Sequence, residues 1–333
     1  MDMTATLPRI AIALGDPGGI GPEIALKAAL RPEVRAICRP LLFGDRQVLE
    51  AHAAACAIEV QLQRYARASD AGWEDGAVPV VEREPLAPHE LKLGETNAAH
   101  GRAALAFARA AIDAALAREV DAVVAAPQSE TSIKLAGIEF DGYPTFVARC
   151  TGVAPEDAFL MVCFDDMRIV HATLHVSVRR AIELITRERV HRAICAADTA
   201  LRRFGVVRPR IAVSGLNPHA GEHGLFGEEE IERIAPAIDD ARRDGIDADG
   251  PHGADTMFQR RGYDAFVVMV HDQGHITAKL LAPQRTAGVT IGTPVLFSSV
   301  AHGTAYDIVG KNIAKPDALI EAIRRLAGVA LKS

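Results

Sequence analysis

Short apolar runs of strand length alternate with longer segments of helical periodicity along this 333-residue chain. The strand-like runs occupy residues 9–14, 120–126, 168–174, 210–216 and 265–270. Between them, residues 98–119 and 228–244 carry apolar side chains at helical spacing. This alternation predicts an α/β fold with largely parallel sheets.

Composition and charge exclude several classes of partner. A formal net charge of -6 with scattered basic residues does not favour nucleic-acid binding. Five cysteines without a Cys-x-x-Cys pair indicate neither a disulfide framework nor a cysteine zinc cluster, which suits a reducing compartment. The N-terminus lacks the basic region of a secretory signal, and no run approaches the roughly 20 apolar residues that span a membrane. We therefore expect a cytoplasmic protein that binds neither nucleic acid nor membrane.

Three of the 12 histidines stand at or just beyond the end of a strand-like run, namely His175, His219 and His271. In open α/β folds, ligands bind outside the carboxyl ends of the strands, so side chains placed there can converge. Three converging imidazoles would bind a divalent metal, although a single histidine at a strand end is more often a structural residue. The spacing does not distinguish Zn, Co, Fe, Mg and Mn.

Other polar residues are weaker candidates. The segment GDPGGIGPE joins a strand end, a glycine-rich loop and Pro22 near the start of a helix. It matches neither the dinucleotide fingerprint nor the phosphate-binding P-loop, but Asp16 at the strand end could face a ligand. Lys279 and Asp255 are further charged candidates, with a solvated surface lysine and a helix cap as the ordinary alternatives. The residues alone therefore indicate a metal-binding α/β protein.

Several motifs together resemble the 4-hydroxythreonine-4-phosphate dehydrogenase family. GDPGGIGPE, GLNPHAGE, the GADT after Gly250 and Pro251, HDQG and HGTA occur in the family's order and spacing, and the resemblance extends from Ile10 to about Leu326. It implies two α/β/α domains with an interdomain active-site cleft, as in isocitrate and isopropylmalate dehydrogenases. It also implies NAD, a divalent metal, and a homodimer in which one metal-binding histidine comes from the partner subunit.

On this resemblance the metal ligands are His175, His219 and His271. We expect residues 1–125 and 285–333 to form the cofactor-side domain. Residues 126–284 are expected to form the metal- and substrate-binding domain with the dimer interface.

The segment HGTAYDIVGKNIAKP resembles the adenosine-binding loop of isopropylmalate and isocitrate dehydrogenases. The similarity implies a group of cofactor-binding residues, which are His302, Gly303, Thr304, Ala305 and Asp307. The Asp307 carboxylate would repel a 2′-phosphate, which predicts NAD rather than NADP.

Departures from the family pattern indicate an altered substrate pocket. Tyr143 and Pro144 replace a His-Thr pair that holds substrate in the phosphothreonine enzymes. Of the phosphate-binding trio Lys, Asn and Arg, only Lys279 remains, with Gly288 and Phe297 in the other places. Because losing the arginine removes a charge-assisted contact, the pattern argues against a phosphorylated substrate. It resembles most the terephthalate cis-dihydrodiol dehydrogenase branch, with Tyr143, Lys279 and Phe297 as substrate-binding residues.

The resemblance therefore implies oxidation of a hydroxyl beta to a carboxylate, followed by decarboxylation. The first substrate it favours is a carboxylated cyclohexadiene cis-diol, with terephthalate cis-dihydrodiol giving protocatechuate. Lys279 would pair with a substrate carboxylate, and Asp255 would transfer a proton or orient a ligand. Two alternatives stay open: a dehydrogenase of 4-phosphohydroxy-L-threonine or a related four-carbon phospho-sugar acid, and a non-catalytic metal-binding protein with the same fold.

Overall fold

The computed structural model describes residues 7–73, 76–83, 86–282 and 286–330. The chain divides into two compact units. Unit 1 contains the chain up to Phe140 and again from Pro294, and unit 2 contains Asp141–Thr293.

The strands of unit 1 form one sheet in the order β3-β4-β2-β1-β5-β12. They are β1 (Arg9–Ala13), β2 (Arg39–Gly44), β3 (Gln61–Tyr65), β4 (Ala77–Glu82), β5 (Ala122–Ala125) and β12 (Phe297–Val300). The helices are α1 (Gly21–Leu30), α2 (Pro32–Arg35), α3 (Arg46–Ala55), α4 (Ala98–Leu116), α5 (Glu130–Leu135) and α11 (Asp317–Ala330). All five strand pairings are parallel. The central strands are continuous apolar runs because both faces of the sheet are covered.

The strands of unit 2 follow the order β11-β6-β7-β10-β8-β9. They are β6 (Phe159–Phe164), β7 (Met167–His171), β8 (Arg210–Ser214), β9 (Asp247–His252), β10 (Ala265–Val268) and β11 (Ala287–Ile291). The helices are α6 (Tyr143–Thr151), α7 (Val178–Leu184), α8 (Arg187–Arg203), α9 (Ala235–Arg243) and α10 (His271–Leu281). β6 is antiparallel to both β7 and β11, whereas β7, β10, β8 and β9 pair in parallel. A hydrophobic cluster that includes Val162, Ile169 and Phe266 packs against α10.

The α/β class predicted from the sequence is confirmed. The strands begin close to the predicted positions, but their regular pairing ends earlier. β7 ends at His171. The chain beyond it is joined to β10 by isolated backbone hydrogen bonds, such as the one from Ala172 N to Val268 O at 2.8 Å. Within the described ranges, no helix is long and apolar enough to cross a membrane.

The unit boundaries fall further along the chain than the expected 125/126 and 284/285. α5 stays with unit 1 because it packs closely on α4. A Cβ added to Gly101 would lie only 2.2 Å from Ser132 O, so a side chain there would force the two helices apart. β11 stays with unit 2 because it pairs with β6.

A buried histidine ties α3 to the loop that follows β1. His52 is fully buried, and its Nε2 lies 2.8 Å from the carbonyl oxygen of Pro17. Because a carbonyl only accepts, Nε2–H donates. Its Nδ1 has no hydrogen-bond partner among the described residues, so protonation there would bury an unpaired N–H. Burial lowers the pKa of His52 below its ordinary value.

The lowered pKa of His52 predicts a specific pH dependence of stability. Unfolded His52 takes up a proton below about pH 6.5, whereas the folded state resists it, so stability is intact above that pH and falls below it. The amide of His52→Gln can keep the bond to Pro17 but does not titrate. The variant should therefore reduce the slope of the unfolding free energy against pH by up to about 1.4 kcal/mol per pH unit. Urea unfolding across this range measures the effect. The exposed His89→Gln is the control, and equal slopes for wild type and His52→Gln would contradict the assignment.

Candidate active site

Four histidines gather where β7 and β10 end in unit 2. The strands pair with His171 opposite Val268, and the chain beyond stays attached through Thr173 Oγ1, which donates to Met269 O at 2.7 Å. This attachment places the ring of His175 5.8 Å from that of His271, between centroids. The convergence of two predicted metal ligands is therefore visible within one chain.

The start of α10 is held rigidly by Gln273 of the HDQG motif. Its Oε1 accepts from Met269 N at 2.9 Å and from Val270 N at 3.1 Å, and its Nε2 donates to Gly215 O at 3.0 Å. One side chain therefore fixes the end of β10 against the end of β8. Sequence reasoning missed this role, although the motif itself contained the signal.

The neighbouring Asp272 sets the tautomer of His271. His271 Nδ1 lies 2.7 Å from Asp272 Oδ1, and a carboxylate accepts only, so Nδ1–H donates and Nε2 keeps a free lone pair. Metal-binding histidines commonly have this carboxylate partner, which orients the ring and raises its basicity. His271 therefore presents Nε2 as an available donor atom.

Two further histidines support this pair. His275 stacks on His271 with 3.9 Å between centroids, and its Nδ1 lies 3.1 Å from His171 Nε2. Burial, reinforced by the histidine neighbours, lowers the pKa of His171 to about 3 and that of His275 to about 4. Both are neutral at physiological pH, so they support the site without adding charge. Gly274 makes room for them, since a Cβ there would lie 2.4 Å from His171 Nε2.

His219 lies in a different kind of backbone. The five residues from His219 to His223 all have positive φ values, from 44° to 80°, and form a left-handed turn. Glu230, which is buried, holds the approach to this turn by accepting from the backbone N–H groups of Leu216 and Asn217, both at 2.7 Å. The side chain of His219 is 65% exposed. In the ranges that the structure describes, the three predicted ligands do not bring one donor atom each within 4.8 Å of one another.

The charged candidates lie near these histidines. Lys279 is exposed in the last turn of α10, two turns beyond His271, and its charge helps to lower the pKa of His275. Asp255 is exposed, and a Cβ added to its neighbour Gly253 would lie 2.8 Å from Asp255 Oδ1 and 3.9 Å from the Cα of His219. Lys279 therefore accompanies His271 and His275, whereas Asp255 accompanies the His219 turn.

A cavity of about 240 Å³ in unit 2 is lined by His171, Thr173, His175 and Arg189, among others. Arg189 donates to Ala172 O at 2.8 Å and to Glu156 O at 2.6 Å. Burial lowers its pKa, although the guanidinium stays charged. Sequence reasoning missed Arg189, because one arginine on a polar helix gives no signal.

The predicted substrate-binding aromatic residues are both buried. Tyr143 begins α6 and is 5% exposed, and burial raises the pKa of its hydroxyl. A Cβ added to the adjacent Gly142 would lie 3.3 Å from His175 Nδ1, and Pro144 lines the cavity, so this segment is close to the site. Phe297 is 0% exposed in β12 of unit 1, where its ring fills the core. A direct contact between Phe297 and a ligand therefore has no exposed surface to use.

A second polar centre lies in unit 1 at the end of β1. Asp16 is fully buried; its Oδ1 accepts from Gly18 N at 2.8 Å and its Oδ2 from the hydroxyl of Tyr306 at 3.0 Å. Ile20 N donates to Thr304 O at 2.9 Å. The glycine-rich loop and the HGTA loop are thereby joined into one support.

The predicted cofactor residues lie on this support. His302, Gly303 and Asp307 are exposed, whereas Thr304 is buried against Gly19, whose added Cβ would come within 2.7 Å of the threonine Cβ. Ala305 has a φ of 43°, which turns the chain into the short helical turn containing Asp307. No atom of the described residues lies within 4 Å of a Cβ built on Gly303. The loop thus combines anchored backbone with open space, as a ligand-binding loop requires.

Comparison with known proteins supports the motif-based resemblance. The family model described as pyridoxal phosphate biosynthetic protein PdxA matches residues 36–326. A protein of Symbiobacterium thermophilum with the assigned name D-threonate 4-phosphate dehydrogenase is 41% identical over 322 residues, covering 96% of each chain.

Two solved structures agree with this relationship. The 4-hydroxythreonine-4-phosphate dehydrogenase of Klebsiella pneumoniae has a TM-score of 0.87 and 34% identity, covering 97% of this chain and 99% of that one. The terephthalate 1,2-cis-dihydrodiol dehydrogenase of Burkholderia xenovorans has a TM-score of 0.70 and 41% identity, covering 97% and 98%. With coverage this complete, the chain belongs to the PdxA family and is a dehydrogenase acting on CH–OH groups.

Proposed function

We propose that this protein is an NAD-linked, divalent-metal-dependent dehydrogenase of a phosphorylated four-carbon hydroxy acid. D-threonate 4-phosphate and 4-phosphohydroxy-L-threonine are the substrates in the names of the relatives. The observation that carries the proposal is the pairing of His175 with His271 beside a cavity that Arg189 also lines. The reaction would oxidise the hydroxyl beta to the carboxylate, with decarboxylation of the resulting 3-oxo acid as the following step.

The donor atoms suit a divalent metal. His271 offers a free Nε2, His175 faces it, and imidazole ligands fit Zn, Co or Fe, with Mg or Mn when oxygen ligands complete the site. We assign the third position to His219 of a second chain, because its exposed side chain does not join the other two within one chain. A metal bound there would supply Lewis acidity toward the substrate hydroxyl.

Two cations are available for the anionic groups of the substrate. Lys279 extends from the face of α10 that carries His271 and His275, and Arg189 lies at the cavity wall. Guanidinium groups form strong, often bidentate, contacts with phosphate and carboxylate. We assign Asp255, beside the His219 turn, to proton transfer or to orientation of that histidine.

This proposal places the phosphorylated acid before the cyclohexadiene cis-diol, which reverses the order that the sequence alone favoured. The names of the relatives support this reversal, because D-threonate 4-phosphate and 4-hydroxythreonine-4-phosphate are both phosphorylated four-carbon acids. Terephthalate cis-dihydrodiol stays the second candidate. The 41% identity to the dihydrodiol dehydrogenase supports it, as does the loss of two of the three phosphate-binding side chains.

The exposed surface of unit 2 supports a homodimer. Large apolar side chains at least one-third exposed include Val176, Val178, Ile182, Leu225, Phe226, Ile276, Leu280 and Leu281. Several of them flank His175, His219 and His271 in the sequence. Exposed apolar side chains are common on association surfaces, and a two-fold dimer would bury them on both subunits.

Substrate preference tests the proposal directly. NADH formation with added divalent metal should be faster with D-threonate 4-phosphate or 4-phosphohydroxy-L-threonine than with terephthalate cis-dihydrodiol. Lys279→Met should raise KM for the preferred substrate about ten- to a hundredfold, since it removes a hydrogen bond to a charged group. Lys134→Met, at an exposed lysine of α5, is the matched control. Faster turnover of the diol would establish the second candidate, and turnover of neither would refute both.

Cofactor preference follows from Asp307. Its exposed carboxylate on the HGTA loop should repel a 2′-phosphate, so kcat/KM should be higher with NAD than with NADP. Asp307→Ser should lower the ratio of kcat/KM with NAD to kcat/KM with NADP, because it should raise activity with NADP. If wild type uses both cofactors equally well, Asp307 does not contact the adenosine ribose.

Mixing two inactive variants tests whether the metal site is shared. His219→Ala and His271→Ala should each be inactive alone. If His219 completes the partner's site, each mixed dimer contains one intact site, and an equimolar exchanged mixture should regain about one quarter of wild-type activity. The same mixture of His175→Ala and His271→Ala, which occupy one half-site, is the negative control. Absence of recovery after demonstrated subunit exchange would place all three ligands in one chain.

A further inference from the structure

A second group of metal-binding side chains lies on unit 2, apart from the histidines of β7 and α10. α8 places His191 and Cys195 one turn apart on the same helix face, and Asp244 follows the last residue of α9. His191 Nε2 lies 2.7 Å from Asp244 Oδ2 and 3.4 Å from Cys195 Sγ. All three donor atoms lie within 4.8 Å of one another.

The two helices hold these side chains in register. One turn earlier, Arg187 Nη2 donates to Asp240 Oδ1 at 2.6 Å. The Arg187–Asp240 pair therefore precedes the His191–Asp244 pair by four residues along both segments. α8 and α9 therefore run alongside each other in the same direction. Arg187 and Arg243 are both bound to Asp240, so they do not neutralise Asp244. Ligands carried on packed helices are already positioned before a metal arrives.

The geometry is close to that of a tetrahedral zinc site. Zinc bond lengths imply separations of roughly 3.5 Å between S and N and roughly 3.3 Å between N and O. The observed 3.4 Å between Cys195 and His191 matches the first value, and the 2.7 Å between His191 and Asp244 needs to open by about half an ångström. Asp244 is 56% exposed, so water can reach a fourth position and the carboxylate can move.

The chemistry of the three groups also favours a soft divalent cation. Thiolate and imidazole together select zinc-like metals, and a thiolate with a carboxylate neutralises two positive charges. Burial and the nearby carboxylates raise the pKa of Cys195, so without a metal the thiol is protonated and unreactive. Binding would displace the thiol proton of Cys195, and the proton of the His191 ring would lie on Nδ1 so that Nε2 is free to bind the metal.

We propose that His191, Cys195 and Asp244 form a structural zinc-type site that fastens α8 to the end of α9. It is independent of the proposed catalytic metal, since it shares no residue with it. Its loss should leave the catalytic histidines in place.

Cobalt(II) titration of the full-length protein, freed of metal by chelation, tests the proposal. Cobalt bound to a thiolate gives an intense near-ultraviolet charge-transfer band, which a site made of histidines alone does not give. We expect the band in wild type and in His271→Ala, its loss in Cys195→Ser, and its retention in Cys150→Ser, the other partly exposed cysteine. Zinc should abolish the band by competition.

A band that is absent from wild type, or that persists in Cys195→Ser, would overturn the proposal. If Cys195→Ser does not fold by circular dichroism, His191→Gln and Asp244→Asn decide, because both keep the thiol. Loss of the band in both supports the site, and an undiminished band in either refutes it. Zinc should also raise the Tm of His271→Ala more than that of the His271→Ala, His191→Gln double variant.

Discussion

Parallel strand pairing is the constraint from which the arrangement of polar groups follows. Parallel strands end at the same edge of a sheet, so loops that are distant in sequence meet there. In unit 1 this edge brings the loop after β1 to the HGTA loop after β12, through Asp16 and Tyr306. In unit 2 it brings the ends of β7 and β10 together and joins β8 to them through Gln273.

Buried and partly buried hydrogen bonds then hold these loops in a fixed geometry. Glu230, Gln273 and Asp16 each satisfy two or more backbone or side-chain donors and acceptors that a loop leaves open. A buried polar group that loses its partner costs about 1–3 kcal/mol, so each of these side chains resists rearrangement of its loop. The chemically useful groups, such as His271, need not supply that stability themselves.

The sequence was sufficient for the α/β class and for the proximity of His175 to His271, because apolar runs mark strands and strand ends converge. It was insufficient for contacts between residues of separate elements, which form only when those elements pack. His171, on a strand, and His275, on a helix, pair only after the two elements pack. The His191 and Asp244 pair joins two helices separated by a strand, so only the His191 and Cys195 spacing was present locally. The resemblance assigns Phe297 to the place of a phosphate-binding arginine, yet a resemblance gives no exposure, and the ring of Phe297 is in the core.

The left-handed turn around His219 has a consequence for how this loop tolerates change. Four of its five residues carry a Cβ, and each is held in a conformation that disfavours L residues by roughly 1–2 kcal/mol. Glycine elsewhere usually weakens a structure, but at Ala220 or Glu222 it would relieve tension in the folded state. The hydrogen bonds of Glu230 hold the segment in this strained conformation. Mutations that relax it would stabilise the folded protein and give the imidazole of His219 more freedom to move.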